Sequence, residues 1–181
     1  MDRKLASERE SEQKALAARW SIAAEAIEAL AGARSLEAVV SVLRAFARRA
    51  VGADGADGIA IVLRDEDQCH YIAEDAMEPL WAGQRFPIGS CVSGWAMQHR
   101  ETAVIGDIFD DERVPVEAYR STFVRSMLMV PIGQINPIAA VGAYWSELGQ
   151  PTDNEITLLE ALARAASVAL ENERLSRRAG Y

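Results

Sequence analysis

Apolar residues recur at a 4-3-4-3 spacing through residues 8–31, at Leu16, Trp20, Ala23, Ile27 and Leu30, with Ala and Glu between them and no Pro or Gly. That pattern predicts a helix with a narrow apolar seam, ended by Gly32. Ser35 is placed to N-cap a second helix over 36–50. Leu36, Val39, Val40, Leu43, Phe46 and Ala47 share one side of it, while Glu37, Arg44 and Arg48 take the other, so it covers something apolar.

The period then changes. After the turn-rich stretch Gly52-Ala53-Asp54-Gly55-Ala56-Asp57-Gly58, residues 59–63 are β-formers, and Arg64-Asp65-Glu66-Asp67 reverses the chain into 68–73, which predicts a β-hairpin. Residues 77–88 read as a long loop carrying Trp81 and Phe86. Ser90 is the expected cap of a short helix over 91–100, followed by a strand at 102–105. An irregular polar stretch, 107–125, holds one helical turn near 116–120. Strands at 126–132 and 138–145 form a second hairpin, and a capping box at Thr152 and Glu155 opens a last helix over 154–178. Two apolar lines run down that helix, one through Leu159 and Ala166, the other through Leu162 and Ala169. The order α-α-β-β-α-β-β-β-α predicts an α+β fold on an antiparallel sheet.

With 181 residues, half of them apolar, the chain can bury one full core and helical extensions. A formal charge of −8, with lysine absent after Lys14, argues against a phosphate-backbone partner. No apolar run approaches the ~20 residues of a membrane span, and no secretion signal follows the charged start. Cys69 and Cys91 are too few for a disulfide scaffold, so free thiols and a cytoplasmic location are expected.

Four stretches resemble the GAF family: Phe86-Pro87-Ile88-Gly89-Ser90-Cys91-Val92-Ser93-Gly94-Trp95-Ala96; Val104-Ile105-Gly106-Asp107-Ile108; Arg125-Ser126-Met127-Leu128-Met129-Val130-Pro131-Ile132 with Ile138 to Trp145; and the Leu- and Ala-rich final helix. The resemblance spans residues 36–170. It implies a GAF-like, PAS-related sheet of five to six strands, with the first, second and last helices on one face. Loops and short helices would enclose a small-molecule pocket on the other. With Trp95 and Tyr144-Trp145 the chain is similar to the GAF domains of bacterial sensor histidine kinases.

Trp81, Phe86, Trp95, Phe109, Tyr119 and Phe123 all fall between the hairpins and need burial. With Cys91, Asp107, Met127 and Tyr144 they are the candidate ligand-binding residues for an unknown small molecule. The seam at Leu16, Trp20, Ile27 and Leu30, with Leu162 and Ala169, is expected to lack an intrachain partner and to pair two copies as a homodimer. The organisation expected is a dimerising, signalling helix at 1–34, a sensor domain at 35–172 and a helical extension at 173–181. A phosphoacceptor-histidine box and an ATP motif are missing, so the output, a kinase in this reading, is a linked domain or a partner protein.

Other chemistries have candidate residues as well. The pair Cys69-His70 invites a bilin, but alternation lets only one of the two face a pocket, and the first hairpin is the wrong place for it. Cys69, His70, Cys91 and His99 lack metal-ligand spacing, so no metal is expected. Phe109-Asp110-Asp111-Glu112 only echoes the cyclic-nucleotide signature. Free-methionine sulfoxide reductases share a segment resembling Gly89-Ser90-Cys91, which makes a Cys91 thiol enzyme the alternative. The loop at 107–132 lacks the further cysteines that chemistry uses, leaving Cys69 as the one other thiol. The expectation is a non-enzymatic sensor, with a ligand-free dimerisation module as the remaining alternative.

Overall fold

Residues 2–52 and 55–180 are described by the structure, a computed structural model. The turn expected at Ala53 and Asp54 lies outside the described residues.

Two helices open the chain, α1 at Asp2–Gly32 and α2 at Leu36–Ala50. Ser35 caps α2 by accepting the Ala38 N–H at 3.1 Å. A hairpin of β1 (Gly58–Asp65) and β2 (Gln68–Ala76) follows, closed by a two-residue turn in which Glu66 takes φ 56°. Next come β3 (Arg85–Pro87), a 3-10 turn at Ile88–Ser90, α3 (Val92–His99) and β4 (Ala103–Ile105). A 3-10 turn at Ile108–Asp110 and the one-turn α4 (Val116–Tyr119) precede β5 (Ser126–Ile132), β6 (Ala139–Trp145) and α5 (Asp153–Ala179). In the capping box of α5, Thr152 accepts the Glu155 N–H at 3.2 Å and Glu155 accepts the Thr152 N–H at 2.7 Å.

The six strands form one antiparallel sheet in the order β3-β2-β1-β6-β5-β4. The fold is therefore the expected α+β one. The predicted loop at 77–88 carries an additional edge strand, because Arg85 to Pro87 pair with Gln68 to His70. Proline is tolerated there since an edge leaves one side of the strand unpaired. The cap of α3 is Cys91 rather than Ser90, which belongs to the preceding 3-10 turn.

Burial splits the core into two layers. Behind the sheet, Ile59, Ile61, Leu128, Val130 and Val141 meet Val39 and Leu43 of α2 and Leu158, Leu159 and Leu162 of α5. α1 packs across α2 and α5, burying Ala23, Ala26 and Leu30 completely. That corrects the expectation that the α1 seam lacks an intrachain partner. Small alanines let α1 approach its neighbours closely, so part of the seam is used at home. Leu30, Leu162 and Ala169 lie in this layer, Leu16 is partly buried, and Trp20 and Ile27 remain 37% and 36% exposed. No helix among the described residues is long and apolar enough to cross a membrane.

A bulge opens between Ile61 and Val62, where the partners jump from Ala73 to Tyr71. Ile72 and Ala73 both join the rear layer, while Cys69 and Tyr71 face front. The bulge thereby sets which β2 side chains reach the site.

Candidate functional site

In front of the sheet, the segment between the two hairpins folds down as a roof. Its anchor is Glu74 of β2. One carboxylate oxygen accepts the Leu80 N–H and the other accepts those of Trp81 and Ala82, each at 2.9 Å. Three convergent backbone donors fix the loop to the strand and aim the Trp81 ring inward.

Trp81 is 4% exposed. Its indole N–H donates to the Ala118 carbonyl at 3.0 Å. The ring lies 4.7 Å from Tyr119, 5.3 Å from Tyr144 and 5.6 Å from Tyr71, mostly edge-on, and Phe86 closes on Tyr71 at 5.5 Å. Such edge contacts suit the positive rim and negative face of each ring. The remaining void is about 10 Å³, walled by Tyr71, Trp81, Phe86, Cys91, Pro115, Ala118 and Tyr119. It holds about one water molecule. The roof exists as expected, but Trp81 fills the room beneath it. The buried Tyr144 hydroxyl has no hydrogen-bond partner among the described residues.

Four of the ten candidate residues, Trp81, Phe86, Cys91 and Tyr119, line the void. Tyr144 touches Trp81, and Met127 is fully buried in the same front layer. The other four do not line the void, although Trp95 and Phe123 pack against the front layer. Trp95 stacks on His99 at 4.5 Å, beneath the Arg113 guanidinium, also at 4.5 Å. Arg113 in turn donates to both Asp111 oxygens, at 2.9 and 2.6 Å, which holds the Asp111 carboxyl below its usual range. Asp107 caps the 3-10 turn by accepting the Phe109 N–H at 3.0 Å. Phe109 is half exposed under Arg125, and Phe123 packs near Gly58.

The two thiols come from different elements of the front layer. Cys91, the N-cap of α3, places Sγ 3.3 Å from the Ser93 hydroxyl, which lies 3.2 Å from the Tyr71 hydroxyl. Cys69 is fully buried on the front of β2, paired with Phe86 of β3, whose next residue, Pro87, holds its carbonyl 3.6 Å from Cys91 Sγ. The hydrogen bond given by the Cys69 thiol holds Cys91 below the ordinary thiol range, against its own burial, and Ser93 adds to the lowering. That same bond, with burial, pushes Cys69 up. Burial, with the Cys91 charge, pushes the Tyr71 phenol up. The first hairpin is thus no wrong place for a pocket thiol. Alternation does send one member of Cys69-His70 forward, and it is the cysteine. Tyr71, two residues on, carried the same legible signal. Ser93 and Glu74 carried none, being set by roof contacts distant in sequence.

Gly94 allows this arrangement. A Cβ there would lie 1.8 Å from the Ile88 carbonyl oxygen, so only glycine lets α3 pack on the turn that presents Cys91.

A family model described as GAF domain matches residues 33–171. Among curated proteins none matches the sequence. Among solved structures, the chain is similar to the free methionine-R-sulfoxide reductase of Neisseria meningitidis, solved with its substrate, at 22% identity and TM-score 0.73, covering 89% of this chain and 93% of that one. It is also similar to the GAF domain of an Acinetobacter phosphoenolpyruvate-protein phosphotransferase, at 14% identity and TM-score 0.70 over 88% and 97% of the two chains. A third likeness is a putative GAF sensor protein from Burkholderia vietnamiensis, at 16% identity and TM-score 0.71 over 90% and 98%. The expectation of a non-enzymatic chain is overturned here, since the same fold serves an enzyme with a bound substrate.

Proposed function

We propose, from the premise that this chain belongs to the GAF family, that its front chamber senses a small molecule and regulates an output through the terminal helices. The observation that carries this reading is a roofed aromatic chamber closed by one side chain, Trp81, on a loop held by one carboxylate, Glu74. A ligand larger than water enters only if that loop lifts, so occupancy and loop position are linked. Phe86, Cys91, Tyr119 and Tyr144 are the groups it would meet. Residues 1–34 and 173–181 are the terminal segments that would carry the change, and 35–172 the sensor. Exposed Trp20 and Ile27 support a homodimer. The output proposed is a histidine kinase of a two-component system, linked or separate, in the cytoplasm.

Native mass spectrometry of freshly purified protein tests the chamber. A bound small mass that is present in the parent and lost in Tyr119→Ala supports it. Bare chains in both, with no thermal stabilisation by any member of a broad metabolite panel, sink it.

A second reading is favoured by the position of Cys91 on the wall of the void: a thiol reductase resembling the free-methionine sulfoxide reductases. Turnover of free methionine sulfoxide by the parent, abolished in Cys91→Ala, would establish it. An inactive parent removes it.

A further inference from the structure

Both cysteines of the chain lie in one buried layer, although they stand 22 positions apart in sequence. Cys69 comes from the front of β2, and Cys91 from the mouth of α3. One short strand brings them together: Cys69 pairs with Phe86 of β3, and the next carbonyl of β3, that of Pro87, lies 3.6 Å from Cys91 Sγ, which is also 3.3 Å from the Ser93 hydroxyl. Both thiols belong to the buried front layer that also holds Val62, Val92 and Tyr71, which keeps bulk solvent away. Cys91 also faces the one-water void, which gives its sulfur a route that Cys69 lacks.

We propose that Cys69 and Cys91 are an oxidisable dithiol that closes to an intramolecular disulfide when a small hydroperoxide reaches Cys91. This holds whether or not the chamber also takes a ligand.

The two thiols have different environments and therefore different parts. Cys91 accepts from the Cys69 thiol and from Ser93, which favours its thiolate. The Pro87 carbonyl, 3.6 Å from Cys91 Sγ, accepts from the protonated thiol and works the other way. The titratable groups facing Cys91 are Cys69 and Tyr71 of β2, with Tyr119 of α4 and Tyr144 of β6 near enough to feel its charge. All three phenols are pushed up by burial and stay neutral, so none competes for the thiolate's negative charge. Cys69 is held as the thiol and donates.

The reaction balances with one hydroperoxide. The Cys91 thiolate attacks the terminal peroxide oxygen, the O–O bond breaks, and the alkoxide or hydroxide leaves and takes up a proton. Cys91 becomes a sulfenic acid. Cys69 then gives up its proton and attacks the Cys91 sulfur. The S–O bond breaks, and the departing hydroxide takes that proton as water. Two thiols and ROOH yield a disulfide, ROH and water. The peroxide is reduced, and the sulfur pair is oxidised by two electrons. The new bond ties β2, which carries the Glu74 anchor, to the start of α3. It would therefore fix the roof in its closed position.

Oxidation of the native full chain by limiting hydrogen peroxide, then denaturation, alkylation and peptide mapping, decides the matter. Arg85 lies between the two cysteines, so cleavage at arginine places them on separate peptides. The expected product is one chain lacking two hydrogens, with those two peptides linked. Cumene hydroperoxide, too bulky for the void, should react at least about tenfold more slowly. In Cys69→Ala the reaction should stop at a Cys91 sulfenic acid that dimedone traps, and in Cys91→Ala the remaining Cys69 should stay unreacted. Over-oxidised Cys91 beside a free Cys69 in the parent would overturn the proposal. So would disulfides formed only between chains, or native thiols that resist peroxide while those of the denatured chain react. The parent experiment is decisive even if a variant fails to fold.

Discussion

At the scale of single residues, the chemistry concentrates on Cys91. Its folded pKa is held down chiefly by the hydrogen bond from Cys69. A depressed pKa stabilises the folded state above the ordinary thiol value of about 8.5, and that contribution is lost as pH falls through the folded value. Ultraviolet thiolate absorbance of the native protein should therefore rise at a pH below the ordinary thiol midpoint. In Cys69→Ala, which removes the donor, that midpoint should move upward, toward the ordinary value. A midpoint unchanged by the substitution would remove Cys69 as the cause. Gly94 is the second residue on which the site turns. Gly94→Ala forces a Cβ against the Ile88 carbonyl, and its destabilisation should reach or exceed the upper end of the about 1–3 kcal/mol usual for overpacking. Urea denaturation measures it, and a loss under about 0.5 kcal/mol would show that α3 can shift without strain.

At the scale of elements, the loop between β2 and β3 depends on one carboxylate. Glu74→Gln keeps the size but replaces an acceptor-only group by one that must point an NH₂ at backbone donors. The expected loss is about 1–3 kcal/mol of local stability. Hydrogen exchange at Leu80, Trp81 and Ala82 should quicken, while exchange in β1 and β6 stays unchanged. Uniform exchange across the sheet would place the effect in the whole fold rather than the roof. This element also shows where the sequence was readable. The long helices and both hairpins follow from periodicity and caps, as at Ser35 and Thr152. Strand β3 was not legible, because three residues ending in proline show no alternation and pair only with a strand already formed. The contact of Cys69 with Cys91 was hidden for a related reason. Alternation fixes the face of Cys69, but the distance to Cys91 depends on how the 3-10 turn and Gly94 seat α3.

At the scale of the whole molecule, the helical layer decides how a change at the roof could leave the domain. α1 is held at its second half by Ala23, Ala26 and Leu30, whereas residues 3–14 are exposed along their length. The periodicity of the seam was readable, yet its partner was not, because a 4-3 repeat suits packing on α2 and α5 as well as on a second copy. Trp20 and Ile27 separate the two uses. Both are more than a third exposed and lie one heptad apart, so a second chain could cover them without disturbing the buried alanines. Trp20→Glu with Ile27→Glu would place four like charges across such a two-chain seam while leaving the monomer core intact. Sedimentation equilibrium of the parent should give a dimer, and the double variant a monomer with the same thermal midpoint within a few degrees. A monomeric parent would remove α1 as the dimerising element. A dimeric double variant would move the interface elsewhere, with the exposed Val168 and Leu175 face of α5 the next surface to test.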